Sequence, residues 1–335
     1  MSATTAAPAG PRTAAAPGSR TGASSAVRRR RGLRPANAIM LAPAVLGLLV
    51  FFGYPLLASV YYSFTSFNLL SAPVFVGLRN YAFLFTQDPL VGQAALNTLW
   101  FVVILVPARV ITALAVAGLL TRAKRSAGFW RTVFYIPALI PPVASVVAFV
   151  FLFNPGTGPV NQVLRALHLP TPLWFNDPAW SKPSLVLLGV WVLGDLMIIF
   201  LASLLDVPRE LYEAASLDGA GAVQKIRFVT LPHLRPVLLF GAVTGIIAAL
   251  QYFTEAAVAS GVASGKATIG QGASVAIGYP DASLLTYAQW IYVRGFGNFQ
   301  FGYASALAVV LFVVASVFVV ILMRRVGAFT PSEAS

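Results

Sequence analysis

The sequence predicts an all-α membrane protein with about six transmembrane helices, and three observations support that fold class. First, 58% of the 335 residues are hydrophobic and only 10% are charged, whereas a soluble domain carries about 25% charged residues. Second, six apolar blocks are long enough to form the helix of roughly 20 residues that crosses a bilayer core. Third, the basic residues are concentrated in alternate loops. Lipid is therefore the expected surroundings of most of the chain.

The six predicted spans follow one another along the chain with at most one charged residue deep in any of them. Block 38–64 has no charge over its 27 residues, which is too long for the apolar region of about 7–15 residues in a signal peptide. It is therefore predicted to be an uncleaved first span. The predicted spans are 38–64, 94–120, 133–153, 184–205, 236–254 and 303–323. Prolines within or beside these blocks predict kinks and not breaks.

Both ends of the chain differ from this transmembrane region, which is predicted over 37–325. Residues 1–36 consist mainly of Ala, Pro, Gly, Ser, Thr and Arg, and such a segment cannot bury enough apolar area to offset its ordering entropy. We therefore expect a disordered basic tail over 1–36, and a second short tail over 326–335.

The distribution of Lys and Arg predicts the orientation. Of the 23 basic residues, 17 lie in the two tails and in the loops after the second and fourth blocks, and 5 lie in the alternate loops. Basic residues favour the cytoplasmic side, so both termini and these two loops are predicted to be cytoplasmic. The remaining outer loops are long and aromatic. Trp290 and other aromatic residues there suit either a membrane-interface belt or a docking surface.

The cytoplasmic segment 206–232 predicts two short helices. Glu213 lies in an early turn of the first, where the helix dipole favours acids, and Gly219 can adopt the left-handed conformation that ends a helix. A second helix is predicted over about 221–229, after which Leu231-Pro232 lead into the fifth span. A helix lying on the membrane surface is the alternative, but such helices are usually basic and the first of these is net acidic.

This segment contains one motif that extends over twenty positions. Its parts are Glu213-Ala214-Ala215, Asp218-Gly219-Ala220, Phe228 and Leu231-Pro232. This pattern resembles the EAA motif of the permeases of binding-protein-dependent ABC importers. The resemblance covers most of residues 36–325, and its further motifs are Ala42-Pro43-Ala44, Tyr54-Pro55, Phe75-Val76-Gly77-Leu78-Arg79-Asn80-Tyr81, Asn97-Thr98, Phe153-Asn154-Pro155 and Gly302-Tyr303-Ala304-Ser305-Ala306. Together they look most like the sugar and glycerol-phosphate permeases, which have the type I, MetI-like fold. The family usually has a shorter loop where this chain has residues 256–300.

The resemblance implies a subunit of an ATP-driven importer in a bacterial cell membrane, with carbohydrate (a mono-, di- or oligosaccharide) as its cargo. The implied partners are a second homologous permease, an ATPase dimer and an extracellular solute-binding protein. The chain has no Gly-x-x-x-x-Gly-Lys-Ser/Thr phosphate loop. We therefore expect it to be no enzyme and to bind no cofactor itself, with ATP-Mg held by the separate ATPase.

By match to the motif, the residues that couple the chain to the ATPase would be Glu213, Ala214, Ala215, Asp218, Gly219, Leu231 and Pro232. The small alanines would face a cleft on the ATPase, and Gly219 would allow the sharp turn. The alternative is that these residues only cap and pack the loop.

Candidates for the substrate pathway come from polar groups in the spans, which are costly there and usually line a pathway or pair with each other. Arg109 and Asp195 are predicted deep in the second and fourth spans, where they form either a structural ion pair or a substrate site. A neutral sugar would also need hydrogen bonds and aromatic faces, and the further candidates are Asn97, Trp191, Gln251, Tyr252 and Glu255. Glu255 could instead only mark the outer end of the fifth span.

Other functions fit the sequence less well. The net charge of +13 is spread between apolar blocks, which argues against nucleic-acid binding. The absence of Cys and the two distant His residues give no basis for a metal site. An ion-coupled secondary transporter would need several midspan acids and inverted repeats, and a membrane enzyme would need converging catalytic groups. The main alternative is an importer permease for a non-sugar solute such as glycerol-phosphate or a polyol.

Overall fold

The computed structural model describes residues 35–123, 126–265 and 277–325. By its contacts the chain divides into two units, residues 1–53 and 54–335. In the first unit, helix α1 (Pro35–Leu48) is followed by a π-helical turn over Leu49–Gly53. The predicted tails lie outside the described residues, except for positions 35 and 36, which begin α1.

The second unit is almost entirely helical in its described parts. It begins with α2 (Tyr54–Ser63) and a short antiparallel pair of strands, β1 (Thr65–Ser66) and β2 (Val74–Phe75), in which Thr65 lies opposite Phe75. The remaining helices are α3 (Arg79–Thr86), α4 (Pro89–Leu120), α5 (Ala127–Leu139), α6 (Pro142–Leu152), α7 (Pro159–Ala166), α8 (Pro178–Trp191), α9 (Gly194–Leu205), α10 (Arg209–Leu217), α11 (Ala222–Lys225), α12 (Leu231–Leu250), α13 (Thr254–Ala263), α14 (Tyr287–Tyr292) and α15 (Phe301–Arg325).

Four helical runs in the described residues are long and apolar enough to cross a membrane, and counting two bent pairs of helices as one span each makes six. The four runs are Met40–Ser63, Pro89–Leu120, Ala222–Leu250 and Phe301–Arg324. The fold class is therefore the predicted one, since each of the six predicted blocks falls on one run or one bent pair.

The predicted third span is not one continuous helix. It is divided between α5 and α6, whose axes differ by 99°. The break falls at Ile140 and Pro141, where the backbone of both residues is extended. A proline disfavours helical geometry in the residue before it, and here Pro141 is itself followed by Pro142. The fourth span is divided in the same way, between α8 and α9, with a bend of 48°.

The fifth span begins earlier and ends earlier than predicted. Helix α11 continues through a π-helical turn over Ile226–Thr230 directly into α12. The second helix predicted over about 221–229 and the fifth span are therefore one continuous run, and Pro232 lies within it, just after the π-helical turn. The run ends at Leu250, and the next residues of the predicted outer loop form α13.

Helix α4 is the centre of the second unit. It packs against α8, α9 and α12, and it contributes Phe101 and Leu105 to the largest buried apolar cluster. The same cluster includes Val146 from α6 and Leu185 from α8. A helix that is apolar on nearly every side is expected where neighbours or lipid surround it.

An aromatic cluster joins the segment before α15 to the start of α4. Trp290 is buried, and its indole N–H donates to the carboxylate of Asp88 at 2.9 Å. Trp290 therefore lies neither in an interface belt nor on a docking surface, both of which would need it exposed. The same carboxylate accepts from Arg294 at 2.9 Å and from Tyr303 at 2.7 Å.

Candidate functional site

A cavity of about 430 Å³ lies where α4, α9, α12 and α13 meet. Its size is within the range of about 300–1,000 Å³ that is typical of small-molecule sites. Five of the seven predicted pathway residues line it: Arg109, Asp195, Gln251, Tyr252 and Glu255. The fold thus brings together polar residues that lie up to 146 positions apart in the sequence, between 109 and 255.

Arg109, on α4, bonds to both sides of the break between α8 and α9. One of its Nη2 hydrogen bonds goes to the carbonyl oxygen of Val192 at 3.0 Å, and the other goes to the carboxylate of Asp195 at 3.1 Å. Val192 is the residue that directly follows α8, so the helix does not continue to supply an N–H for its carbonyl, and Asp195 lies in the first turn of α9. The guanidinium therefore satisfies one end of the break and pairs with the acid at the other.

The position of Asp195 differs from the predicted one. The sequence indicates the middle of a regular span, whereas the structure shows a helix start beside the cavity, with 61% of the side chain exposed. The Arg109 side chain is 28% exposed, and its Nε has no hydrogen-bond partner in the described residues. The ion pair between the second and fourth spans is present, and it lines the cavity as well.

The other wall of the cavity is the turn between α12 and α13. Gln251 is exposed there, and no side-chain hydrogen bond joins it to the described residues. The Tyr252 ring lies 4.9 Å from the ring of Phe101, and its carbonyl accepts from Thr286 at 2.6 Å. Glu255 lies in the first turn of α13, not at the outer end of the fifth span as the sequence indicates. Amide, aromatic and carboxylate groups thus lie side by side.

A smaller cavity of about 160 Å³ adjoins the first. It extends toward α5, α6 and α8, and Arg109, Tyr252 and Glu255 line both cavities. Together with Leu105, which also lines both cavities, these three side chains form the boundary between the two spaces.

Asn97 and Trp191 are not among the residues that line these cavities. Asn97 is buried, and its amide donates to the carbonyl oxygens of Ala282 and Leu285 at 2.9 Å each, while its oxygen accepts from Lys182 at 3.0 Å. It therefore joins α4 to the segment before α14. The Trp191 ring packs 5.2 Å from the Phe149 ring.

The predicted coupling segment forms a short helix with a well-defined end. After α10, the N–H of Ala220 donates to the carbonyl of Ala215 at 2.9 Å, and the N–H of Gly219 donates to that of Ser216 at 3.1 Å. These two bonds make a Schellman motif, in which the residue after the cap adopts a left-handed conformation. Gly219 has a φ of +76°, which only glycine adopts without a steric cost.

Side-chain hydrogen bonds join α10 to the following helix. Lys225 donates to the Ser216 hydroxyl at 2.7 Å, and the hydroxyls of Tyr212 and Thr230 lie 2.9 Å apart. By contrast, no residue of α10 is buried. Of the motif residues, Glu213, Ala214, Asp218 and Gly219 are exposed, whereas Ala215, Leu231 and Pro232 are half-buried. The helix is thus joined to the following segment by side-chain hydrogen bonds and presents an open surface.

The Asp88 cluster was not predicted from the sequence. Its signal was the pair Asp88-Pro89, because an aspartate followed by proline is a strong helix start, but the three side chains that converge on Asp88 lie more than 200 positions away. Lys182 was also missed. It lies 5.5 Å from the Trp100 ring centre in addition to its bond with Asn97.

Comparison with known families decides the class of the protein. Residues 109–328 match the family model described as binding-protein-dependent transport system inner membrane component. The chain belongs to this family. Its membership places the protein in a membrane as a multi-pass transport component.

Individual relatives of this transport component are permeases of ABC transporters. The chain is 34% identical over 304 residues to a probable ABC transporter permease, YesP, of Bacillus subtilis (strain 168). The matched region covers 89% of this chain and 94% of YesP. It is 33% identical over 285 residues to the lactose transport system permease LacF of Rhizobium radiobacter, with coverage of 83% and 90%.

A solved structure shares the fold. A chain of the bacterial alginate ABC transporter, crystallised with a periplasmic protein that carries an alginate pentasaccharide, matches with a TM-score of 0.69 and 23% identity. The match covers 87% of this chain and 94% of the other. The chain therefore has the same fold as that chain of the alginate transporter.

Proposed function

We propose that this chain is one permease subunit of an ATP-driven ABC importer and that its cargo is a carbohydrate. The proposal rests on one observation: the same chain has an open polar cavity and an exposed helix, α10, which ends in a Schellman motif. The cavity offers amide, carboxylate and aromatic groups, which are the groups that bind sugar hydroxyls and ring faces. Lactose and other sugars in the names of relatives agree with this class of cargo.

The helix α10 is proposed to be the contact with the ATPase. Its exposed Ala214 lets another protein approach closely, and the exposed Glu213 offers a charged contact at the same surface. Movement of the ATPase dimer would be transmitted through the bonds of Lys225 and Thr230 into α12, and α12 lines the cavity. ATP-Mg is proposed to bind only on the ATPase, and this chain is proposed to have no enzymatic activity of its own.

The proposed assembly also contains a second homologous permease and an extracellular solute-binding protein. Both termini, the loop after the second span and the loop after the fourth span, which contains α10, would face the cytoplasm of a bacterial cell, since 17 of the 23 basic residues lie in those segments. The binding protein would then deliver the solute from the outer side, where β1, β2, α7 and α14 are proposed to lie.

Uptake in proteoliposomes tests this function. This chain, the second homologous permease, the ATPase and the binding protein are reconstituted together. Radiolabelled lactose, maltose, arabinose oligomers and glycerol-3-phosphate are supplied outside, with ATP inside. We expect ATP-dependent accumulation of at least one carbohydrate, and none when this chain is omitted. Accumulation of glycerol-3-phosphate alone would support the non-sugar alternative, and accumulation without ATP would contradict the proposal.

A further inference from the structure

The charged groups that line the larger cavity do not balance. One guanidinium, that of Arg109, faces two carboxylates, those of Asp195 and Glu255. Arg109 pairs with Asp195 at 3.1 Å. In the described residues, no Lys, Arg or His lies within ion-pair distance of Glu255. The described lining therefore carries one uncompensated negative charge.

The place of Glu255 makes that charge important for any solute. Its side chain lies on the boundary shared by the two cavities, so a solute that occupies either space lies close to the carboxylate. A carboxylate without a protein donor can accept hydrogen bonds from sugar hydroxyls, and hydrogen bonds to an ionised acceptor are roughly twice as strong as neutral ones. The same group repels an anion, because interactions between charges are strong where water is partly excluded.

We propose that Glu255 determines the charge class of the cargo: the cavity takes uncharged or cationic saccharides and excludes carboxylated, phosphorylated or sulfonated ones. This inference rests on the proposed transport function and narrows it. It also argues against glycerol-phosphate as the cargo, since that solute is anionic.

The chain contains no cysteine, which allows a direct measurement of the charge in the cavity. Ala248 lines the cavity and is exposed, so Ala248→Cys introduces a single thiol there. The complete complex is treated with a cationic methanethiosulfonate reagent (the trimethylammonium-ethyl form) or with an anionic one (the sulfonatoethyl form). The modification rate is read from the mass of this chain alone, so thiols on partner subunits do not interfere.

The ratio of the cationic rate to the anionic rate is then compared with the ratio at Ala72→Cys, an exposed site between β1 and β2. We expect the ratio at position 248 to be larger by on the order of tenfold. Adding Glu255→Gln should remove most of this excess, and adding Arg109→Gln should enlarge it. The first change removes a negative charge from the lining and the second removes the positive one.

Equal ratios at positions 248 and 72, or an excess that Glu255→Gln leaves unchanged, would overturn the proposal. A thiol at position 248 that neither reagent reaches would also overturn it, since the cavity must admit small solutes. These rates do not depend on transport. A complex that accumulates no carbohydrate would therefore contradict the proposed function, and the charge measurement would still decide on the cavity.

Discussion

Replacement of Asp88 by Asn is the change whose effect can be worked out most fully from the structure. The Asp88 side chain has no exposed surface, and that of Arg294 is 16% exposed. One carboxylate oxygen accepts from Trp290, Arg294 and Tyr303, and the other accepts from the N–H of Leu90 and so caps α4. Both carboxylate oxygens thus already have donors.

An asparagine at position 88 has only one acceptor oxygen. If that oxygen faces Leu90, the new NH₂ group points at three donors, and if it faces the cluster, the NH₂ group points at the N–H of Leu90. In both orientations Arg294 loses its counter-charge. Removing one partner from a buried ion pair costs about 3–5 kcal/mol, so we expect a loss of that size in the free energy of unfolding.

The matched control is Asp177→Asn. Asp177 also caps a helix that begins with proline, because its side chain accepts from the N–H of Ala179 at 2.8 Å before α8. It has no ion pair in the described residues, and asparagine caps helices about as well as aspartate. Asp177→Asn should therefore change stability by no more than about 0.5 kcal/mol.

The assay is unfolding of the purified complex in detergent, followed by the fluorescence of the tryptophans and by the monodisperse fraction on size-exclusion chromatography. Asp88→Asn should unfold at a clearly lower temperature than wild type, while Asp177→Asn should coincide with wild type. Equal midpoints for the two variants would refute the assignment of Asp88 as the anchor of the segment before α15.

Two further outcomes follow from the same part of the chain. Gly302→Ala should prevent correct packing of α15, because a Cβ there would overlap the backbone carbonyl of Thr65 in β1, and overpacking costs about 1–3 kcal/mol or more. The control is Gly297→Ala, which has room for a Cβ and should keep the monodisperse yield of wild type. Equal yields for the two variants would contradict this. The second concerns pH: burial raises the pKa of Asp88, but hydrogen bonds from Tyr303, Trp290 and Leu90 and the charge of Arg294 outweigh it and hold the pKa below its usual value. A folded-state pKa below the unfolded value of about 3.9 adds stability above that pH, and this stability is lost as pH falls through the folded pKa. The difference between the unfolding midpoints of wild type and Asp88→Asn should therefore begin to shrink below about pH 3.9 and vanish only in strong acid. A difference that stays constant down to about pH 3 would contradict this.

The sequence contained much of the fold because long apolar blocks have few alternatives to spanning helices. The break at Ile140 has a local cause in Pro141 and Pro142, although prolines in the spans predicted only kinks. The break at Val192 has no such signal, since an apolar run reads the same whether it is straight or bent. The break at Val192 is stabilised by Arg109 from another helix, and that contact is invisible until the two helices are adjacent. The Asp88 cluster was missed for the same reason.

The candidate site, too, was predictable from the sequence only in its local part. The α10 motif is local, so its spacing predicted the helix, its end at Gly219 and its exposed surface. The cavity is not local, and the sequence placed Asn97 and Trp191 in it because both are polar or aromatic within spans. Asn97 instead satisfies backbone carbonyls, which a chain must do wherever it is buried.

The central claim is that α10 couples this chain to an ATPase, and Gly219→Pro tests it most directly. Proline fixes φ near −65°, whereas Gly219 needs +76°, and the substitution also removes the hydrogen bond to Ser216. The control is Ala222→Pro: Ala222 begins α11, and Gly221 before it is already extended, so proline fits there.

The measurement is ATP-driven uptake by the reconstituted complex, with the amount of ATPase that co-purifies as a second readout. We predict that Gly219→Pro abolishes uptake and reduces the bound ATPase while the chain still inserts in the membrane, and that Ala222→Pro retains both. Uptake at the wild-type rate with Gly219→Pro would show that α10 is not the contact with the ATPase, and the proposed mechanism would be wrong.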